Sequence, residues 1–556
     1  MQQADDSSAE VLVIGAGPVG LCLALELGLR GRRVLVIEQG DRAGRQPRAK
    51  STNLRSMTHM RRWGLADRLR EASPLPPDYP TDIVFATRLF GRPLARFADA
   101  FFGYRARHPH MPEPGLWVPQ YTVEGVVRER LQQLPNVRLR FGTRLERIEQ
   151  DDRGVTAHAT DTATGRQVEM QAQYAVGADG GRGVTRRLLG IDYEGEHAYM
   201  ANFLAIYRAP GLLESHPLPK AVSYWLVNAD SPAVTGPMDR GDTWFYSTQL
   251  REGDESYSRP EARQKILRSL GHAVDIEILE TDVWYAHKLI ANRYRERRVF
   301  LAGDACHLHP PMGGYGMNQG IGDAVDLGWK LAAVLHGWAA PALLDSYEVE
   351  RKPVHRMFVE EAAHNYSFVT HHMVKELLEA DSAEGETVRR EVGERILQTK
   401  EREFRPLGAI LGYTYAGSPM VIADGSAAPR FDAIDYVPSA RPGAIAPHLW
   451  LADGSSLYDH FGPDLTLLDF GAVPAEAERL LGAAAALGIP LRRVAVPEPA
   501  AESLYDARLV LVRPDQHVAW RARSLDADPL DLLERIAGRS AQRGASHSTR
   551  QKETTQ

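Results

Sequence analysis

Cysteine is nearly missing from this 556-residue chain: there are two, Cys22 and Cys306. That excludes a disulfide framework and suits a reducing compartment, so a cytoplasmic protein is expected. A basic excess is missing too. The chain has 66 Lys and Arg against 72 Asp and Glu, a net charge of -6, whereas a nucleic-acid binder carries the opposite balance. Lysine is scarce, nine residues in all, and with so much Ala and Gly the arginine bias reflects genome composition rather than anion binding. One stretch, residues 11–29, is almost wholly apolar, with Glu26 its only charge. Gly15, Gly17, Pro18 and Gly20 interrupt it and no positive segment precedes it, so it reads as strand, turn and buried helix rather than a membrane span. What the chain has is ordinary globular composition, 44% hydrophobic and 25% charged, and enough length for about three to four domain-sized units at roughly 150 residues each.

The apolar run 11–14 has the character of a central parallel strand. Directly after it comes Gly15-Ala16-Gly17-Pro18-Val19-Gly20, then a helix to residue 29, a second strand over 34–37, and Glu38. Gly15 permits the tight turn, Gly17 lets a pyrophosphate reach the backbone, and Gly20 lets helix and strand pack closely. The helix N-terminus then offers free N–H groups and its positive dipole end to the phosphates, and Glu38 is placed to accept from a ribose. Strand, turn, helix, strand and acid in this order specify a dinucleotide site.

Two later segments carry further signals. One is Tyr174-Ala-Val-Gly-Ala-Asp179-Gly180, followed by Arg186 and Arg187. The other runs from Arg298 through Gly303-Asp304, Cys306, His307, His309, Pro310-Pro311 and Gly313-Gly314-Tyr-Gly316-Met317-Asn318, into a helix expected to end near residue 331. It reads as strand, loop, helix. Asp304 falls just past a strand end, where a carboxylate can hold a chain of hydroxyls. The glycines let the backbone approach a planar ring, and the N–H groups opening the next helix can stabilise negative charge on it, as a reduced flavin carries near N1 and O2.

With these three motifs in this order, the chain resembles the single-component FAD monooxygenases typified by para-hydroxybenzoate hydroxylase and phenol hydroxylase. The stretch Gln46-Pro47-Arg48-Ala49 through Asn53, Arg55 and Met57 is similar to the branch of dichlorophenol hydroxylases and aromatic polyketide oxygenases. The resemblance implies that Glu38 binds the adenosine ribose, Arg48 and Gln120 the pyrophosphate and ribityl region, and Asp304 the ribityl chain or pyrophosphate. Gly314, Gly316, Met317 and Asn318 are then expected at the isoalloxazine, with Asp179 between FAD and a transient NADPH or NADH site. Pro18, Val19, Gln39, Leu145 and Pro311 complete the expected FAD contacts. Asp326 stands where the family has Asn, and little functional effect is expected. No second GxGxxG and no redox cysteine pair occur, so the nicotinamide visits a groove rather than a domain of its own.

The implied activity is hydroxylation of a phenolic aromatic by O2 and NAD(P)H through a C4a-hydroperoxyflavin, with Baeyer–Villiger or epoxidation chemistry on an aromatic polyketide as the alternative. An electrophilic oxygen needs the phenol near deprotonation, so a base or backbone carbonyl is required. Tyr224, His287 and the Pro310-Pro311 carbonyls are the candidates. Alternating strands at 202–207, 221–227, 243–248 and 275–285 suggest an antiparallel sheet over the ring. Tyr224, Trp225, Trp244, Tyr246, Trp284 and Tyr285 are candidates to line the pocket, and each serves equally well as sheet core.

His307 and His309 have metal-like spacing but no second ligand pair nearby, and no metal is expected. Cys306 reads as a small buried residue, and His371-His372 as part of a helix. Arg186 and Arg187 either steer a pyridine nucleotide or form a solvated face. Residues 341–405 read as charged helix, with Glu348, Glu350, Arg351 and Lys352 on an early face, and 438–447 as a linker. The remainder, with strands at 465–470, 509–512 and 518–521 and helices near 475–487 and 529–537, resembles the thioredoxin-like C-terminal domain of phenol hydroxylase relatives. It contains no cysteine, so it cannot exchange disulfides.

The expected fold class is α/β. A Rossmann-like FAD-binding domain (1–80, 111–194, 291–345) carries an antiparallel-sheet substrate domain (81–110, 195–290). A helical connector (346–410), a thioredoxin-like C-terminal domain (411–540) and a disordered tail (541–556) follow. The expected partners are a small phenolic substrate and O2, with a homodimer expected and neither nucleic acid nor membrane.

Overall fold

The computed structural model describes residues 7–40, 49–76, 78–103, 107–251, 253–367 and 370–539. Its first sheet is built on the strand Ser8–Ile14, paired in parallel with Val34–Ile37 on one side and with Gln167–Gly177 on the other. Val137–Arg140 and Val299–Leu301 extend it in parallel at either flank. Val34–Ile37, Val299–Leu301 and the last four residues of Ser8–Ile14 are buried on both faces, which is why they read as unbroken apolar runs. The hairpin Thr143–Gln150 with Val155–Asp161 adds on antiparallel to the first half of Gln167–Gly177.

The helix Pro18–Leu29 buries nearly every side chain, Glu26 included. That carboxylate is paired with Arg30 at 2.8 Å and Arg62 at 2.6 Å, and accepts from Trp63 Nε1 at 2.7 Å. Burial pushes the Glu26 carboxyl up, but Arg62 and Arg30 outweigh this and hold it at about 2, against an ordinary 4.5. A depressed carboxyl contributes stability that is present above the unfolded value and lost as pH falls through the folded one. We therefore expect this contribution, on the order of 3 kcal/mol at 1.36 kcal/mol per unit, to disappear between pH 4.5 and about 2. Urea unfolding of Glu26→Gln should be weaker than wild type at pH 7 and indistinguishable from it near pH 2. An equal gap at both values would remove the ion pairs from the account.

The second sheet has eight strands where four are expected from sequence. Their order is His307–Leu308, Glu277–Ala291, Tyr193–Arg208, Thr243–Gln249, Ala233–Pro237, Ser223–Leu226, Ile83–Ala86 and Pro93–Phe97. All neighbours are antiparallel except Ser223–Leu226 and Ile83–Ala86. Two of its strands are far longer than the apolar segments that announce them, because the first half of Tyr193–Arg208 and the last part of Glu277–Ala291 go on pairing with each other, from Tyr193 with Ala291 to Met200 with Ala286.

The helix expected to end near residue 331 runs from Tyr315 to His336 and stops at Gly337, whose φ of 82° is left-handed. Ser346–Tyr366 and Ala383–Phe404 follow. Glu350 and Arg351, on the early face read from sequence, are not solvated but buried. The segment 438–447 is not a free linker either, since Gly443 N donates to Val518 O at 2.7 Å and Ala446 N to Gln516 O at 2.9 Å. The last sheet orders Leu491–Ala495, Leu465–Asp469, Leu509–Val512 and Val518–Ala522, with helices Pro474–Leu487 and Pro529–Ile536 packed together.

This unit is clasped to the first by a buried charge network. Arg513 donates to both oxygens of Glu350, at 2.6 and 2.7 Å, to Asp326 at 3.1 Å and to Asp515 at 2.5 Å. Lys330 donates to Asp326 at 2.8 Å and Glu350 at 2.5 Å. Asp326 is thus part of the joint between units. Among the described residues no helix is long and apolar enough to cross a membrane.

Candidate active site

Ile14, Ile37, Gly177 and Leu301 end side by side, as the pairing register requires. The residues just beyond them, Gly15, Glu38, Ala178 and Ala302, line one cavity of about 1970 Å³. Ligands in open α/β sheets bind at these carboxyl ends. A cleft for one small molecule measures roughly 300–1,000 Å³, so this cavity has room for a cofactor and a substrate together.

At one end the glycines behave as their spacing implies. A Cβ on Gly15, where φ is 109°, would lie 2.3 Å from Ala178 O, and one on Gly20 would lie 2.0 Å from Gly15 O. Gly17 differs: a Cβ there would meet nothing within 4 Å, because the residue opens onto the cavity. Its neighbours Pro18 and Val19 line the same wall, as do Gln39 and Leu145. Glu38 is fixed by Ala16 N and Gly40 N, each donating to one carboxylate oxygen at 2.9 Å, which leaves each oxygen a lone pair for a ligand hydroxyl. Gln120 opens the helix Gln120–Gln132 and donates to Glu124 at 2.8 Å. Glu124 and Arg128 also line the cavity, and Arg128 stacks on Phe141 at 4.7 Å. Sequence reading missed Arg128, although 120, 124 and 128 share one helix face at i, i+4, i+8. Arg48 lies outside the described residues.

Further along, the turn Gly303–Ala305 presents Asp304 to the cavity. The turn is pinned from behind by Asp323, which accepts from Gly303 N at 2.9 Å and pairs with Arg351 at 2.7 Å, His355 at 2.8 Å and His307 at 3.1 Å. Cys306, His307, Asp323 and His355 are close enough to share an ion, but the Arg351 guanidinium already holds that carboxylate. His307 and His309 do not converge. Their rings lie parallel, 6.0 Å apart. Cys306 is buried.

Gly314, Gly316 and Met317 line the cavity where the long helix begins. Asn318 does not. Its amide ties that helix to the neighbouring strand, accepting from Asn53 N at 2.9 Å and donating to Ser51 O at 3.0 Å, so it positions the loop rather than facing a ring. Asp179 lines the cavity but turns one oxygen to cap the helix Val184–Leu188, accepting from Thr185 N and Oγ1 at 2.9 Å. Its other oxygen is buried and has no partner among the described residues, and burial pushes its carboxyl up. Arg186 folds back over Tyr193 at 4.0 Å.

The second sheet forms the facing wall, and strand alternation sorts its side chains. Asn202, Leu204, Trp225, Val234, Phe245 and Ser247 face the cavity. Phe203, Ala205, Tyr224, Trp244 and Tyr246 pack into the core behind. Of the aromatics singled out from sequence, Trp225, Trp284 and Tyr285 line the cavity and the other three do not. Phe245 was missed. Tyr224 is therefore no base: it lies behind the wall, with its hydroxyl bonded to Pro219 O at 3.0 Å and near His216 Nε2 at 3.2 Å.

His287 does line the cavity, but its Nδ1 accepts from Ala198 N at 3.0 Å. The neutral ring therefore carries its proton on Nε2 and offers the cavity a donor. The Pro311 carbonyl accepts from Gly314 N at 3.1 Å, and Pro310, which is off the cavity wall, accepts from His309 Nδ1 at 2.9 Å. That last bond leaves a bare lone pair on His309 Nε2, which has no partner among the described residues. Burial, with His307 beside it, holds His309 down at about 4, so the ring is neutral at physiological pH.

Residues 8–362 match the family model described as FAD binding domain, and residues 439–540 match that described as aromatic-ring hydroxylase, C-terminal. The chain belongs to the FAD-dependent aromatic hydroxylase family. Aklavinone 12-hydroxylase DnrF of Streptomyces peucetius is 33% identical to this hydroxylase over 88% of this chain and 98% of its own. A solved structure of the rebeccamycin biosynthetic enzyme RebC with reduced flavin superposes with a TM-score of 0.88 at 35% identity, covering 96% of this chain and 99% of that one. Aklavinone-11 hydroxylase in complex with FAD and aklavinone gives 0.82 at 30%, covering 95% and 99%. This hydroxylase is accordingly an FAD-dependent monooxygenase of the group acting on aromatic polyketides and phenols, with the mixed parallel and antiparallel α/β architecture of these structures. Its cofactor is FAD, and the cavity's open Gly17, paired Glu38 and exposed Asp304 suit a pyrophosphate, a ribose and a hydroxylated chain in that order.

Proposed function

We propose that this hydroxylase inserts one oxygen atom of O2 into a multi-ring phenolic substrate, using NAD(P)H as reductant. The observation that carries the reading is the single cavity running from the glycine turn to the aromatic face of the second sheet, too large for the cofactor alone. When bound, reduced FAD supplies the activated oxygen. The chain does the rest. Gly17 and Glu38 seat the dinucleotide, Asp304 holds the hydroxyls between phosphate and ring, and the N–H groups opening the helix at Tyr315 take up negative charge on the ring edge. Trp225 and Phe245 hold the substrate against that loop and keep water away. His309 Nε2 accepts a hydrogen bond from the substrate hydroxyl, raising electron density on the carbon to be attacked. We read residues 411–540 as a thioredoxin-like unit with a structural role.

The test is NAD(P)H oxidation by the purified yellow protein across a panel of one- to four-ring phenols, with peroxide and product mass read in parallel. One phenol should speed oxidation and gain a single oxygen with little peroxide, and His309→Phe should cut that coupled product about tenfold, the size of a lost hydrogen bond of roughly 1.4 kcal/mol. A lactone or epoxide as product would replace hydroxylation by Baeyer–Villiger or epoxidation chemistry. Full coupled turnover in His309→Phe would give that hydrogen bond to another acceptor.

A further inference from the structure

Lys50 is one of nine lysines in the chain, and the mechanism above makes no use of it. Its backbone is clamped. Ala49 O and Lys50 O accept from Gln120 N and Val118 N at 2.9 and 2.8 Å, and Ser51 pairs with Trp117. The next residue, Ser51, is held by Asn318 and lies so close to the glycine loop that a Cβ on Gly314 would come within 2.2 Å of its hydroxyl. From this fixed base the side chain spans the cavity toward the second sheet, and its Nζ stands 4.3 Å over the ring of Phe245. The surroundings are apolar: Phe245 packs with Ile206 and Met238, and Trp117, Tyr121 and Val234 close the patch. Among the described residues no carboxylate pairs with the ammonium.

A cation held among aromatics without an anion is an incomplete arrangement, since the ring face replaces only part of the lost hydration. We infer that Lys50 is a specificity residue whose ammonium receives an anionic oxygen of the aromatic substrate, a carboxylate or an ionised phenol, at the point where the substrate sheet meets the ring-binding loop. This deepens, and rests on, the reading of the cavity as an aromatic-substrate site. Burial lowers Lys50 to about 8 from an ordinary 10.5. The group is therefore charged at neutral pH but poorly solvated, and an arriving anion supplies what the walls do not. Lys50 directly precedes the strand Ser51–Thr52 and its carbonyl is held by Val118 N, so whatever anion Lys50 grips is registered against Gly314 through a short, hydrogen-bonded connection.

The test uses holoenzyme of wild type, Lys50→Met and Lys50→Arg, with binding read as perturbation of flavin absorbance. The probes are 3-hydroxy-2-naphthoate, its methyl ester, 3-methoxy-2-naphthoate and methyl 3-methoxy-2-naphthoate, together with azide as a simple anion. Lys50→Met should weaken the anion-bearing probes at least tenfold and leave the doubly blocked ester and the FAD content unchanged, while Lys50→Arg retains part of the preference. Loss confined to the two free acids identifies a carboxylate as the ligand, and loss shared by the two free phenols an ionised phenol. Equal shifts for all four probes, or none, overturn the assignment. If wild type binds none of the four, the aromatic-substrate reading fails and azide decides for Lys50. A flavin response to azide that Lys50→Met abolishes keeps the anion site, and no response in wild type removes it.

Discussion

Gly17→Val is expected to yield a folded, colourless protein. Gly17 caps the helix Pro18–Leu29 with φ −73° and ψ 179°, a conformation open to any residue, and a Cβ there would meet nothing within 4 Å beyond its chain neighbours. The space it would fill is the route of the pyrophosphate. FAD affinity should fall at least a hundredfold, measured by fluorescence titration of the apoprotein, while urea unfolding of that apoprotein stays within about 0.5 kcal/mol of wild type, as for other substitutions that touch nothing. Gly20→Ala makes the contrast. Its Cβ would stand 2.0 Å from the Gly15 carbonyl oxygen, so the turn itself must move and both stability and FAD binding should suffer. Stoichiometric FAD in Gly17→Val would show that the phosphates pass elsewhere.

The second large effect concerns the joint between units. Asp326, Glu350 and Asp515 present three carboxylates to two cations, Lys330 and Arg513, all of them buried. Burial pushes the Asp326 carboxyl well above its ordinary range despite Lys330 and Arg513, while Arg513 and Lys330 overcome the same penalty at Glu350 and draw it down. Removing one partner of such a set leaves uncompensated buried charge, which costs about 3–5 kcal/mol. Arg513→Met should therefore destabilise the protein by that amount in urea unfolding, with the C-terminal unit becoming protease-sensitive first. Adding Glu350→Gln should restore part of the loss, because the orphaned charge is then gone. A single variant within 1 kcal/mol of wild type would falsify the idea that the network holds the units together.

Much of the first unit was legible because its signals are local. Strand, glycine turn, helix, strand and acid follow one another within 31 residues, 8 to 38, and the structure sets them at one end of the cavity. The second sheet was half legible. Its apolar strands announced themselves, but which of two alternating faces is core depends on partners distant in sequence, so Tyr224, Trp244 and Tyr246 could not be told from Trp225. Strands such as Ile83–Ala86 and Ala233–Pro237 are too short to carry a period. The choice of base was illegible for another reason. A histidine's tautomer is fixed by what its other nitrogen meets, and for His287 that is an N–H 89 residues away. Asn318 looked like a ligand contact because it sits in the ring-binding motif, yet its amide closes bonds to a strand some 265 residues earlier. The buried joint gave no signal at all, since Arg513 and Glu350 are separated by 163 residues and charged side chains read as surface.

The two-faced wall has a bearing on how such an enzyme changes hands between substrates. Because neighbours along each strand point to opposite sides, Trp225, Val234, Phe245 and Ser247 can be exchanged while Tyr224, Ala233, Trp244 and Tyr246 stay as they are. Shape selection and scaffold integrity are thus written on alternate letters of the same few words. A lineage, or a mutant library restricted to the cavity-facing letters, can explore new ring systems while the core behind the wall keeps its packing.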